Sequence, residues 1–201
     1  MDASWPDEYQ TIGVHGPLPV FWERVLQRLS FPLSWLAGEQ DDFSEWRRAA
    51  RAKVMECLLT PPPPAPFAPR LMAEQDRGCY IARKVALNIT ADSRVLSYLL
   101  VPKGTGPFPA VLLLHDHGAR FDIGKEKVIE PFADRPERLS SAREWVEINY
   151  GGRFLGDELA RRGYVCFCTD ALNWSDRGGA GYEGQQALAS NLLHMGMSLA
   201  G

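Results

Sequence analysis

The sequence of 201 residues contains no long run of apolar residues, and its longest uninterrupted one, 109–114, is far too short for a membrane span. A transmembrane helix needs about 20 consecutive, mostly apolar residues. The sequence also lacks the basic and apolar leader of a secreted protein, because its first eight residues include Asp2, Asp7 and Glu8. These absences predict a cytoplasmic protein that does not associate with membranes.

An excess of positive charge is also missing. The formal net charge is −3 and the isoelectric point about 5.8, which argues against a nucleic-acid partner bound by bulk charge. The four cysteines have neither zinc-site spacing nor the pattern of a disulfide framework, so we expect buried free thiols. The cysteine spacing therefore indicates neither a zinc site nor a set of disulfides.

Three segments follow one another along the chain. Residues 1–16 show no periodicity and predict a poorly ordered terminus, and apolar residues at helical spacing then predict helices over 18–29 and 42–59. Four consecutive prolines, from position 61, cannot continue a helix and predict an extended linker. We expect a helical extension over 1–60, a Pro-rich linker over 61–74 and the main domain over 75–201.

Strands and helices alternate in the predicted main domain. Alternating residues over 80–89 and 95–101 predict an antiparallel hairpin, whereas the continuous apolar stretches 109–114 and 164–168 predict strands buried on both faces. Helical patterns cover 138–148, 153–162 and 183–199. This order predicts an α/β fold with a mostly parallel sheet and an N-terminal helical extension.

Polar residues follow both apolar strands, where ligands bind in parallel sheets. The first stretch is His115-Asp116-His117-Gly118, and the second contains Asp170, Asp176 and Arg177. A glycine-bearing turn after a strand can direct backbone N–H groups at a developing oxyanion. We expect the first stretch to form this oxyanion-side loop and the residues Asp170, Asp176 and Arg177 to brace the rim of the site.

The strand entering His115-Asp116-His117-Gly118, and the later strand entering Asp170 and the loop with Asp176-Arg177-Gly178, resemble the α/β-hydrolase fold. Within that fold they are similar to bacterial dienelactone hydrolases and acetyl-xylan-esterase-like hydrolases. The resemblance covers about residues 75–201, and its hairpin, ending in Tyr98-Leu99-Leu100-Val101-Pro102, also matches. It implies serine hydrolysis of small-molecule carboxylic esters or related acyl compounds, with a Ser-Asp-His triad in that order and with no metal or organic cofactor.

The nucleophile motif G-x-S-x-G of this family is missing from the sequence. The nearest match surrounds Ser198, but it follows a helical pattern, and a nucleophile elbow joins a strand to a helix. His194 lies four residues earlier and reads as a partly buried helix histidine. We therefore expect the triad beyond Gly201, a truncated hydrolase domain, and no activity from these 201 residues alone.

Two other interpretations fit parts of the pattern. His115 and His117 at the end of a strand, with Asp116 and Asp122 nearby, are also typical of metal-dependent hydrolases. A hydrolase-like domain without its catalytic end could instead be a non-catalytic binding module.

Overall fold

The computed structural model describes residues 17–37, 41–59 and 61–199. The terminus predicted over residues 1–16 lies outside these ranges. The chain divides into two compact units, Met1–Cys57 and Leu58–Gly201. No helix within the described ranges is both long and apolar enough to cross a membrane.

The described part of the first unit has the α-helices α1 (Pro17–Arg28) and α2 (Phe43–Cys57), where the sequence predicts helices. The Asp42 carboxylate caps α2, since its Oδ1 accepts hydrogen bonds from the backbone N–H groups of Ser44 and Glu45 at 2.7 and 2.9 Å. Such a cap satisfies backbone donors that have no partner within the helix. Three aromatic rings, of Trp35, Phe43 and Trp46, pack together beside the start of α2.

The second unit is built on a mixed five-stranded sheet. Its strands are β1 (Arg70–Asp76), β2 (Tyr80–Asn88), β3 (Arg94–Pro102), β4 (Ala110–Leu113) and β5 (Val165–Thr169), in the order β1-β2-β3-β5-β4. Only β4 and β5 pair in parallel; the other three pairs are antiparallel. The prediction of a mostly parallel sheet is therefore wrong, because short turns join β1, β2 and β3, and such turns allow only antiparallel neighbours.

Strand β1 lies partly in the segment 61–74 that the sequence predicts as a linker, so the linker cannot extend to residue 74. Six of its seven residues are exposed, which explains why it lacks the alternating apolar pattern of a half-buried strand. Its backbone pairs with β2 across a bulge between Leu71 and Ala73. The Pro-rich stretch that precedes β1 runs alongside the β2–β3 hairpin. The backbone carbonyls of Pro63 and Phe67 accept hydrogen bonds from the N–H groups of Ala91 and Asn88, respectively.

Three helices complete the second unit: α3 (Pro136–Asn149), α4 (Leu155–Arg161) and α5 (Gly181–His194). The core lies on one face of the sheet, where strand residues meet the segment 128–132 and α4. Its buried members are Tyr80, Ala82, Tyr98, Leu100, Leu113, Val128, Ile129, Phe132, Ala160, Cys166 and Cys168.

The opposite face of β4 is open among the described residues. The side chain of Leu112 is 66% exposed, and Leu114, just after the strand, is 83% exposed. In β5, Cys166 and Cys168 are buried, whereas the residues between and beside them are only half-buried. The prediction that both strands are buried on both faces is therefore wrong. Cys57 and Cys79 are exposed as well, so only two of the four thiols are buried as expected.

Candidate functional site

The parallel pairing of β4 and β5 brings the two predicted polar stretches together. Leu113 lies opposite Cys168 in the register, so the chain leaves both strands at the same edge of the sheet. Directly beyond, the backbone N–H of Ala171 donates a hydrogen bond to Nε2 of His115 at 3.0 Å. The loop after β4 and the loop after β5 are thus connected by an imidazole.

His115 is a neutral bridge. Its Nε2 must accept, because a backbone N–H can only donate, and Nδ1 lies 2.9 Å from the carbonyl oxygen of Asp116, to which it must donate. Burial lowers the pKa of His115 below its ordinary value, in agreement with this single tautomer. Both ring nitrogens are therefore occupied within the protein.

This hydrogen bonding argues against the metal-dependent alternative. His115 would lose one of its two hydrogen bonds on becoming a ligand, and Nδ1 of His117 accepts the N–H of Ala119 at 3.3 Å. The acidic, histidine and cysteine side chains of the described residues do converge at one place with metal-site spacing. That group is Glu126, Asp170 and Asp176, and it contains neither histidine.

Lys127 binds backbone carbonyls of the predicted oxyanion-side loop. The residue is fully buried, and its Nζ donates to the carbonyl oxygens of Asp116 and His117 at 3.1 and 2.9 Å. It also lies 4.9 Å from the centre of the Trp145 ring, as a cation–π pair. Burial lowers the pKa of Lys127, although Asp116 acts in the opposite direction.

The two carbonyls fix the direction of two N–H groups. In a trans peptide the C=O of one residue and the N–H of the next point in opposite directions. Because the carbonyls of Asp116 and His117 converge on Lys127, the N–H groups of His117 and Gly118 point away from it. Neither N–H has a hydrogen-bond partner within the part of the chain that the structure describes.

Asp116 is a fixed side chain. Its Oδ2 accepts the hydroxyl of Tyr150 at 2.6 Å and the indole N–H of Trp145 at 3.3 Å. Burial alone would raise the pKa of Asp116, but the bond from Tyr150 and the charge of Lys127 lower it overall. Asp116 is therefore an ionised brace for the loop.

Gly118 fits its position because it has no side chain. Its φ is +46°, and a Cβ there would lie 2.2 Å from Cη2 of Trp145. We expect Gly118→Ala to lower the free energy of unfolding by about 1–3 kcal/mol, from an unfavourable φ and overpacking. We expect the larger side chain of Gly118→Val to disrupt this loop.

Urea denaturation of Gly118→Ala, Trp145→Ala and the double variant measures this clash. Because Trp145→Ala removes the ring that the new Cβ would meet, the Gly118→Ala cost should fall in that background. An equal cost in both backgrounds would contradict contact with Trp145 as its cause.

A buried charge cluster lies below the loop. Nζ of Lys125 is 2.7 Å from Oδ2 of Asp170, 2.6 Å from Oδ2 of Asp176 and 2.9 Å from Oε1 of Glu126. Lys125, Glu126 and Asp170 are each at least 99% buried. The Lys125 ammonium is thus the cation for the three carboxylates whose spacing would suit a metal.

Burial and the neighbouring charges shift the pKa values of the carboxylates in this cluster in opposite directions. Burial raises the pKa of Asp170 to about 6, although Lys125 beside it favours the ionised form. The pKa of Asp176 is lowered overall, since Lys125 and Arg138 outweigh its burial, and Nη1 of Arg138 lies 2.8 Å from Oδ1 of Asp176. Asp170 and Asp176 are therefore held by buried cations beside the loop.

Arg177, the last predicted rim residue, forms no ion pair with these carboxylates. Its Nη1 donates to the backbone carbonyl of Asp170 at 3.0 Å. Sequence reasoning missed the cations Lys125, Lys127 and Arg138. A charged triplet, Lys125-Glu126-Lys127, directly before Val128 and Ile129 reads as an exposed loop, and only the tertiary structure shows that it is buried.

An aromatic cluster adjoins His117, and the sequence analysis also missed it. The rings of Trp174, Phe121 and Tyr182 lie 4.9, 5.7 and 5.8 Å from the His117 ring, centre to centre. Trp174 and Phe121 are buried, whereas Tyr182 is 55% exposed. The cluster packs the loop after β5 and the start of α5 against the loop after β4.

Ser198 does not lie in a nucleophile elbow. It follows α5 rather than a strand, and its Oγ donates to the backbone carbonyl of Leu58 at 2.9 Å. His194 is exposed, and it makes no hydrogen bond to Ser198 in the described chain. The Ser198 hydroxyl is thus hydrogen-bonded to the backbone near the end of α5.

Comparison with known proteins supports the hydrolase interpretation in coarse form. No family model matches the chain. It is 33% identical over 106 residues to "Putative hydrolase YtaP" of Bacillus subtilis, covering 52% of this chain and 35% of that protein. It superimposes on a crystal structure titled "putative acetyl xylan esterase", from Bacteroides fragilis, with a TM-score of 0.58 and 17% identity. The chain has a hydrolase-like fold.

The superposition covers 86% of this chain but 42% of the Bacteroides protein. The chain therefore spans well under half the length of either relative.

Proposed function

We propose that this chain forms the oxyanion side of an esterase-type α/β-hydrolase of the dienelactone hydrolase and acetyl-xylan-esterase-like branch, cytoplasmic and acting on small esters or related acyl compounds. The observation that carries the proposal is the pair of N–H groups of His117 and Gly118, which point away from Lys127 and have no partner in the described chain. Fixed N–H donors of this kind stabilise the negative charge that develops on a carbonyl oxygen during acyl transfer.

The roles of the neighbouring residues follow from their contacts. Lys127 and the braced Asp116 hold the loop before a substrate arrives, so that the donors need no reorganisation during the reaction. His115, neutral and doubly bonded, connects this loop to Ala171 and is a positioning residue. In this proposal a Ser-Asp-His triad, which the family resemblance implies, would supply the nucleophile without a cofactor or a metal.

The test uses p-nitrophenyl acetate hydrolysis by the natural protein that contains this chain. We expect Lys127→Met to lower kcat about 100-fold, the cost of losing an oxyanion-hole donor, with little change in KM. Lys127→Arg should recover part of the loss, because its guanidinium can still donate to the two carbonyls. Lys103→Met, at an exposed ion pair with Asp76, is the matched control.

Two results would contradict the proposal. One is a natural protein that neither hydrolyses the ester nor reacts with a fluorophosphonate serine probe. The other is an unchanged kcat for a correctly folded Lys127→Met variant. The 201-residue chain alone should not react with the probe, since Ser198 has no base and lies outside an elbow.

A further inference from the structure

Arg177 is a half-buried cation without a carboxylate partner. Its guanidinium makes one hydrogen bond, to the carbonyl of Asp170, and forms no ion pair within the described residues. The buried Lys84, Lys125 and Arg138, in contrast, each lie within ion-pair distance of a carboxylate. Burial lowers the pKa of Arg177, as expected for a desolvated charge that nearby anions only partly compensate.

Arg177 lines a cavity of about 710 Å³ in the second unit. This volume lies within the range of small-molecule sites, about 300–1,000 Å³. The walls come from the Pro-rich stretch, the β2–β3 turn, the loop after β5 and the end of α5. Its larger apolar lining residues are Ile89, Leu172, Leu192, Met195, Met197 and Leu199.

The charges around the cavity are asymmetric. Among the described residues, two ionisable side chains line it, Arg177 and Asp92. Asp92 is exposed, so water screens its charge, whereas Arg177 is partly withdrawn from water. A guanidinium held in place by a backbone carbonyl keeps its other N–H groups available for a planar anion, and carboxylates accept such donors in pairs.

We propose that this cavity binds a carboxylate with a short alkyl chain, with the carboxylate on Arg177 and the chain against the methionine and leucine side chains. A cationic ligand would be repelled by the guanidinium, and a neutral alkyl ligand would leave the guanidinium without an anionic partner. A small, highly hydrated anion would leave the apolar walls empty. The site does not rest on the proposed catalytic function, since none of its contacts involves the N–H groups of His117 and Gly118.

Isothermal titration calorimetry of the 201-residue chain with octanoate and octan-1-ol tests the site, because the two probes differ mainly in the charged head group. We expect octanoate to bind at least about ten-fold more tightly than the alcohol, the factor typical of a charge-assisted hydrogen bond. Arg177→Met should remove this preference, and Arg162→Met, at an exposed arginine of the α4 terminus, should retain it.

A second variant tests the apolar wall without changing Arg177. Leu192→Glu places a negative charge on α5 at the cavity and should weaken octanoate binding more than ten-fold. Equal affinities for the two probes, a preference for octanoate that survives Arg177→Met, or octanoate binding unaffected by Leu192→Glu would each overturn the proposal. Loss of ester hydrolysis in the natural protein would leave it standing, so the two proposals fail separately.

Discussion

Replacement of Lys125 by methionine is expected to lower the free energy of unfolding by about 3–5 kcal/mol, as for other buried ion pairs that lose one partner. The ammonium lies within 2.9 Å of oxygens of Glu126, Asp170 and Asp176, and the first two of these residues are fully buried. Methionine fills a similar volume but leaves three carboxylates facing one another. Urea denaturation at pH 7, followed by circular dichroism, measures the loss.

Two further observations separate this effect from a general loss of a lysine. Lys103→Met breaks an exposed ion pair with Asp76 and should cost at most about 1 kcal/mol. The deficit of Lys125→Met should also shrink as the pH falls from 7 to 4, because protonation removes the repulsion between the carboxylates. A loss equal to that of Lys103→Met at every pH would contradict the buried cluster.

Lysine at both Leu112 and Leu114 is expected to convert the 201-residue chain from a self-associating species into a monomer at micromolar concentration. Strand β4 pairs with β5 on one side, has no strand on its other side within the described sheet, and presents these two leucines 66% and 83% exposed. An unpaired edge beside exposed apolar side chains is a template for pairing with another chain, and lysine there opposes it.

Sedimentation velocity of the parent and the double variant provides the measurement. Leu193→Lys is the matched control, because this leucine is 59% exposed but lies on α5, away from the sheet edge. The control should associate as the parent does. A parent that is already monomeric, or a control that becomes monomeric too, would show that the β4 edge is not the contact.

The parts of the fold that sequence reasoning predicted are those with a clear local period. The five α-helices of the described residues were all predicted, four of them within a few residues of their bounds, as were the hairpin β2–β3 and the strands β4 and β5. Strand β1 was missed because its side chains are exposed and its pairing is carried by the backbone. The overall strand directions were wrong because an apolar run shows that a strand is buried, not which way it runs.

The sequence predicted that the two polar stretches would meet at one edge of the sheet, but not the contacts that they make there. That His115 lies next to Ala171 follows from two strands ending together. The sequence could not show that His115 is neutral and hydrogen-bonded through both ring nitrogens. Nor could it show that Lys127 orients two carbonyls away from the exposed side of the loop. Both features depend on contacts between segments that are far apart in sequence. The aromatic neighbours of His117 were missed for the same reason, since Trp174 and Tyr182 follow β5.

The strand order β1-β2-β3-β5-β4 determines how late the sheet can be completed. The hairpin pairs neighbouring residues, whereas β5 must enter between β3 and β4 after the whole segment 114–164 has been made. Closing so long a loop is slow, and until then both flanking strands present unpaired edges to other chains. On the ribosome, the chain therefore stays open to misassembly until the residues of β5 have emerged, and a chaperone that shields β3 and β4 would act during that interval.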